Sequence, residues 1–229
     1  MKENNLFVWG ILIISLSFSL QAQRAIPPLE IPLLLSGNFG EFRGSHFHAG
    51  LDIKTKGRQG FKVKSILAGS IRRIKVSTSG YGKTLYVEHA NGTTSVYAHL
   101  QKFAPKIEKI VKQLQYQKER FLIQSYHKSN ELIVKQGEVI GYSGNTGGSL
   151  GPHLHFELRD SKTQMPLNPL TLNFDIKDNQ RPVVRNLYSY NLEDSIQKKK
   201  TEIPIVRKND SLYTTCLLYT SPSPRDGLL

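Results

Sequence analysis

Cysteine is almost missing from this 229-residue chain, and the single copy, Cys216, lies near its end. That excludes a disulfide framework and a thiolate-built metal site. Long apolar runs are scarce as well. The stretch from Leu6 to Leu20 is short for a membrane span, which needs about 20 apolar residues. Lys2 precedes it and Gln21-Ala22-Gln23 follows it, placing a small residue where cleavage would occur. Residues 1–22 therefore read as a secretory signal, with an uncleaved anchor as the competing reading. The lack of a cysteine at this junction argues against a lipid-anchored lipoprotein. Acidic residues are in deficit, 18 against 31 basic ones, for a net charge of +13. Three further absences narrow the chemistry: no H-E-x-x-H helix, no Gly-Lys-Ser/Thr after Gly144-Asn145-Thr146-Gly147-Gly148, and no internal repeat.

The other end of the chain differs in texture. Cys216-Leu217-Leu218-Tyr219-Thr220-Ser221-Pro222-Ser223-Pro224-Arg225-Asp226 resembles the translation of a sequencing adapter, so residues 216–229 read as a non-native tail. A disordered Ser/Pro tail is the plainer alternative. Residues 1–22 and 216–229 each hold one basic and one acidic residue, and without them 29 basic and 16 acidic residues remain, still +13. A basic exported chain points to anionic envelope partners such as cell-wall polymer, lipopolysaccharide or the outer membrane leaflet. The signal and the absence of a binding motif argue against nucleic acid. Once the signal is cleaved, nothing in the sequence predicts stable membrane insertion.

Residues 31–170 read as one strand-rich domain. Short apolar or alternating runs recur between glycine turns at Phe61–Leu67, Ser70–Val76, Lys83–His89, Thr93–Leu100, Leu132–Val134 and His153–Leu158. Asn91-Gly92 predicts a hairpin, since both residues tolerate positive φ. Its second strand carries Ser95, Tyr97 and His99 on one face and Val96, Ala98 and Leu100 on the other. From Pro105 to about Tyr126, the spacing of Ile107, Ile110, Val111, Leu114 and Phe121 predicts an inserted amphipathic helix covering a sheet edge. Residues 171–215 read as a linker, marked by Asp178-Asn179-Gln180-Arg181-Pro182, and the start of a truncated second module whose first strand spans Val183 to Tyr190.

The histidines carry the chemistry. In Gly151-Pro152-His153-Leu154-His155-Phe156-Glu157, strand alternation puts His153, His155 and Glu157 on one face and Leu154, Phe156 and Leu158 on the other. His48-Ala49-Gly50-Leu51-Asp52 adds an imidazole and a carboxylate, and Tyr97-Ala98-His99-Leu100 adds another imidazole. Four of the seven histidines lie in these three motifs. His48, Asp52 and His155 make a two-histidine, one-carboxylate set suited to zinc with one position open for water. Such a set leaves net positive charge, which acidifies water and polarises a carbonyl. An iron facial triad uses the same ligands, but no cosubstrate pocket is evident. Histidine's unperturbed pKa, near 6.5, suits such residues as His99 and His153 to proton transfer, and oxyanion binding is open to them as well.

The ordered motifs H-x-x-x-D, Y-x-H-L and G-x-H-L-H-F-E resemble those of the lysostaphin/LytM-type zinc endopeptidases, metallopeptidase family twenty-three. The resemblance runs from about Phe39 to Arg159 and includes Gly137–Gly141 and Ser143–Gly147. It implies a mainly antiparallel β fold of the LytM-like, duplicated-hybrid-motif kind with a groove, here carrying the helical insert that shorter members lack. It further implies Zn2+ held by His48, Asp52 and His155, with His99 and His153 catalytic. The implied activity is an exported endopeptidase, periplasmic or extracellular, whose substrates are peptidoglycan stem-peptide cross-links. A non-catalytic wall-binding or hydrolase-activating protein on the same fold is the alternative, and a metal-storing envelope scaffold is a third reading.

Other residues read differently. His46 is disfavoured as a ligand because the spacing to Asp52 selects His48. His89 reads as structural or solvated, and His127 as a surface residue. Glu157 reads as the partner of a lysine or arginine, Asn38 and Arg43 as groove-lining residues, and Gly144–Gly148 as a turn that places the His153 strand.

Overall fold

The computed structural model describes residues 24–177, 184, 186–190, 200–209 and 212–215. The signal reading at 1–22, the linker at 178–182 and the tail at 216–229 lie outside the described residues. The chain divides into two compact units, Met1–Asp178 and Asn179–Leu229.

In the first unit the strands are β1 (Leu35–Gly37), β2 (Phe42–Arg43), β3 (His46–Phe47), β4 (Leu51–Lys54), β5 (Lys62–Lys64), β6 (Gly69–Val76), β7 (Thr84–His89), β8 (Thr93–Ala98) and β9 (Lys102–Phe103). Helix α1 (Pro105–Lys118) follows, then β10 (Ile123–Tyr126), β11 (Ile133–Val134), β12 (Val139–Tyr142), β13 (His153–Asp160) and β14 (Pro166–Leu167). The main sheet runs β1-β4-β13-β8-β7-β6-β10, with β11 also on β6 and β14 on β13. A smaller sheet runs β5-β12-β9, and β2 pairs with β3. Every named ladder is antiparallel, the mainly β architecture that the alternating runs predict. The second unit holds two antiparallel hairpins, β15 (Leu187–Tyr190) with β16 (Lys200–Ile203) and β17 (Ile205–Arg207) with β18 (Tyr213–Thr215).

One core joins the two sheets of the first unit and the helix. Leu51 and Ile53 from β4, Leu85 and Val87 from β7, Tyr97 from β8, and Leu154 and Phe156 from β13 meet Val63, Ile140 and Phe103 of the smaller sheet. Each such side chain contributes roughly 1.5–3 kcal/mol by leaving water.

The hairpin at Asn91-Gly92 forms, with a different turn. Only Gly92 takes a left-handed φ, +81°, and its N–H donates to the His89 carbonyl at 3.1 Å. The Asn91 side chain accepts from the Thr93 N–H at 3.1 Å, so Asn91 serves through hydrogen bonding instead of positive φ. The pairing Glu88↔Thr94 implies a three-residue loop with a left-handed final residue, a common hairpin closure.

The helix is shorter than its apolar spacing predicts. Pro105 opens it, where a missing N–H is harmless, and the Glu108 carboxylate accepts from the Phe103 N–H at 3.0 Å. Ile107 and Val111 are buried against the core. The helix ends at Lys118 because Glu119 turns left-handed, φ 48°, and Arg120 N–H returns to the Gln115 carbonyl at 3.1 Å. Residues 123–126 then pair with β6, Ile123 opposite Val76, and become the outermost strand of the main sheet. Sheet pairing there outweighs helix periodicity.

Candidate metal centre

His48, Asp52 and His155 arrive from two segments that antiparallel pairing brings face to face. Asp52 on β4 stands directly opposite His155 on β13, and Lys54 stands opposite His153. Their strand neighbours Leu51, Ile53, Leu154 and Phe156 point the other way and are fully buried. Alternation thus hangs the polar set from a hydrophobic floor. His48 enters just before β4 through Ala49-Gly50. A Cβ at position 50 would lie 2.3 Å from the Phe156 carbonyl oxygen, so only glycine lets this connection pack onto β13.

Three atoms converge. His48 Nε2 lies 3.0 Å from His155 Nδ1, and Asp52 Oδ1 lies 3.2 Å from the first and 2.9 Å from the second. The outward nitrogens are already engaged. His48 Nδ1 meets the Asn38 carbonyl at 2.8 Å, and His155 Nε2 meets Glu157 Oε1 at 2.8 Å. An acceptor on each outer nitrogen places the ring proton there and leaves both inner nitrogens as lone pairs. Two lone pairs and a carboxylate oxygen within 3.2 Å of one another repel unless a cation lies among them. The donor set fits a divalent metal, and His48, Asp52 and His155 form a compatible cluster with ligand atoms all within 4.8 Å.

Outer contacts stiffen the set. Arg43 Nη2 binds the second Asp52 oxygen at 2.6 Å, leaving Oδ1 for the cluster. Burial alone would raise the Asp52 pKa, but the polar contacts around the carboxyl, with the Arg43 guanidinium as the fixed donor, outweigh it and hold the group well below the usual range. Glu157, fully buried, accepts from His155, from Arg159 Nε at 2.6 Å and from the Tyr81 hydroxyl. Burial would raise its pKa too, yet the His155 and Arg159 contacts lower it on balance and keep the carboxylate charged.

His99 and His153 lie beside this cluster with ring centroids 4.8 Å apart. His153 Nδ1 meets the Gly151 carbonyl at 2.8 Å, and its Nε2 lies 3.4 Å from Asp52 Oδ1. His99 Nδ1 meets the Thr146 carbonyl at 2.8 Å, so its Nε2 faces inward. Burial pushes His99 down to about 4, keeping the ring neutral. Regular alternation would put His99 on the Tyr97 face, which packs against Phe156 in the core. The strand instead ends at Ala98 and His99 takes φ 57°, which swings its ring to the other face. That is a correction to the grouping of His99 with Ser95 and Tyr97.

These side chains line a groove of about 730 Å³ together with Arg43, Lys54, Tyr81 and residues 148–152. His46 lines it too, but stays exposed and outside the His48–Asp52–His155 cluster. His89 is buried between the Ala68 carbonyl and Ser95 Oγ, and His127 is held by Ser125 and Glu131. Gly144 bridges to His153, consistent with a turn that places β13. Sequence reasoning missed three contacts: Glu157 on His155, Arg43 on Asp52, and Tyr81, whose ring lies 5.0 Å from that of His155. The i, i+2 spacing of His155 and Glu157 was the available signal for the first.

An antiparallel β domain with a groove floored by a His–Asp–His cluster that could hold a metal fits a metallopeptidase-like architecture. Residues 46–116 and 120–169 match the family model described as Peptidase family M23, and this chain belongs to that family. It is similar to the DD-carboxypeptidase/endopeptidase Mpg of Neisseria meningitidis, 34% identical over 125 residues, covering 55% of this chain and 22% of that protein. It is also similar to the cell division protein DipM of Caulobacter vibrioides, 30% identical over 175 residues, covering 70% of this chain and 23% of that protein. The chain thus spans less than a quarter of the length of these relatives. Among solved structures, the catalytic domain of the antimicrobial peptidase lysostaphin from Staphylococcus simulans aligns with a TM-score of 0.43 at 25% identity, covering 60% of this chain and 88% of that domain.

Proposed function

We propose that this chain is an exported zinc metalloendopeptidase that hydrolyses peptide cross-links of bacterial peptidoglycan, in the periplasm or outside the cell. One observation carries the reading: His48, Asp52, His99, His153 and His155, drawn from three distant segments, converge in a single groove. Zinc held by His48, Asp52 and His155 would supply Lewis acidity, making water more acidic and a peptide carbonyl more electrophilic. The remaining steps belong to the chain. His99 is neutral and presents Nε2 inward, so it takes the proton released when water attacks the carbonyl. Its Nδ1–H stays anchored to Thr146 and steadies the resulting charge. His153 is anchored at Nδ1 by Gly151 and directs Nε2 toward the cluster; as an imidazolium it hydrogen-bonds the developing oxyanion or gives its Nε2 proton to the departing amine, and the proton held on His99 makes up that loss. The C–N bond breaks as that amine gains its proton. Arg43 and Glu157 hold Asp52 and His155 in place throughout.

Mpg is named for carboxypeptidase and endopeptidase activity, which favours this reading over a non-catalytic wall-binding or activating role. The test is digestion of purified peptidoglycan with the zinc-loaded chain, reading the released peptides by mass spectrometry. New amine and carboxyl ends at cross-links are expected. Intact cross-links, with zinc bound and the fold retained, would leave the non-catalytic reading in place.

A further inference from the structure

Lys54 has no role in the chemistry above, yet it lies on the face of β4 that carries Asp52 and opposite His153 in the ladder. Two residues along a strand span about 7 Å, so its backbone sits one cross-strand pair beyond the metal cluster. Its side chain is exposed and lines the groove. Among the groove-lining residues the only carboxylate is Asp52, whose two oxygens are taken by the cluster and by Arg43. Arg43 is doubly engaged, by Asp52 and by Glu41 at 3.4 Å. Among the described residues no carboxylate pairs with the Lys54 ammonium. Metal charge would add to this surplus, so the groove beside His153 carries uncompensated positive charge.

We propose that Lys54 is a specificity-determining residue that binds a free carboxylate on the peptide substrate, placed within about two residues of the bond to be cut. The distance follows from the chain: extended peptide advances about 3.3–3.6 Å per residue, and the lysine reaches on a flexible four-carbon stem. The substrate class is therefore an anionic peptide whose carboxylate flanks the scissile amide, either a side-branch carboxylate at a cross-link or a terminal one. This rests on the hydrolase reading only for the word substrate, since the recognition itself can be measured as binding.

Two matched probe pairs separate the sources. In one, a diamino dicarboxylic residue carries either a free carboxylate or a carboxamide beside the amide bond. In the other, a linear D-alanyl-D-alanine peptide ends in an acid or an amide. Calorimetric binding to the full chain, stripped of metal by chelator, removes direct carboxylate–metal contact from the comparison. Wild type should bind the acid of at least one pair about tenfold more tightly than its amide, as a charge-assisted hydrogen bond supplies. Lys54→Gln should bring that ratio close to one, and Lys54→Arg should keep it. Preference confined to one pair assigns the carboxylate to that source. Equal binding of acid and amide by wild type, or an acid preference that survives in Lys54→Gln, overturns the proposal. Cleavage by the zinc-loaded chain is scored separately: acid preference with neither probe cut removes the hydrolase reading and leaves carboxylate recognition standing.

Discussion

Replacing Glu157 with glutamine tests how the metal site is held. The carboxylate serves three donors with two oxygens: His155 Nε2 and the Tyr81 hydroxyl meet Oε1, and Arg159 Nε meets Oε2. Glutamine keeps the shape but has one acceptor and one donor. If its oxygen faces His155 and Tyr81, its amide N–H groups confront Arg159, which loses a buried counter-charge. If it flips, the amide faces His155 Nε2 and favours the ring proton on Nδ1, the nitrogen that looks into the cluster. Either way the inner lone pair is weakened or its support strained. Loss of such an outer partner costs about 10–100-fold in metal affinity, or about 1.4–2.7 kcal/mol. Stability should fall as well, by an amount approaching the roughly 3–5 kcal/mol of a broken buried ion pair. Zinc affinity would be measured by competition with a chromogenic chelator and folding by urea titration. Tyr81→Phe removes one donor and leaves the His155 bond, so it should retain most of the affinity. A folded Glu157→Gln protein with wild-type zinc affinity would refute the orienting role.

The ligand set predicts about one zinc per chain, with strong loss in each of His48→Ala, Asp52→Ala and His155→Ala; undiminished metal in all three would remove the assignment. His99→Ala and His153→Ala should keep zinc yet lose roughly 100-fold or more in hydrolysis, and wild-type cleavage rates in either would remove its role. Tyr97, fully buried, has its pKa raised from 10.0 to about 12 by burial, despite hydrogen bonds from Ser95 and Ile66. A raised folded pKa means stability intact below pH 10 and lost as pH climbs toward 12. The stability advantage of wild type over Tyr97→Phe should therefore fall by about 2 kcal/mol across that window, and a difference constant from pH 8 to 12 would contradict the buried hydroxyl. Wall binding driven by the +13 charge should weaken across a salt series while zinc content holds, and binding indifferent to salt would mean the charge has no part in locating substrate.

The legible parts of this protein are those in which neighbouring residues set the geometry. Alternation over 153–158 foretells both the core face and the site face of β13, because a strand repeats every two residues. The Asn91-Gly92 hairpin is similarly local. What escaped depends on partners far along the chain. Glu157 reaches Tyr81 across 76 positions, a contact that no local pattern announces. Residues 119–126 carry helical spacing, but β6 offers an open ladder, and only the fold reveals that competition. Arg43 stands out as a groove residue in sequence, while its bond to Asp52 needs the turn at 37–43 to be built.

The left-handed backbone at His99 sets the site against the steadiness of the fold. That conformation costs a residue with a Cβ about 1 kcal/mol, which glycine would avoid. A selection that rewarded heat resistance alone could therefore enrich glycine at position 99, yielding a hardier protein that still loads metal and no longer carries an imidazole there. Thermal robustness and metal content would then rank variants in an order unrelated to turnover, and libraries built on this scaffold need a direct readout of bond cleavage.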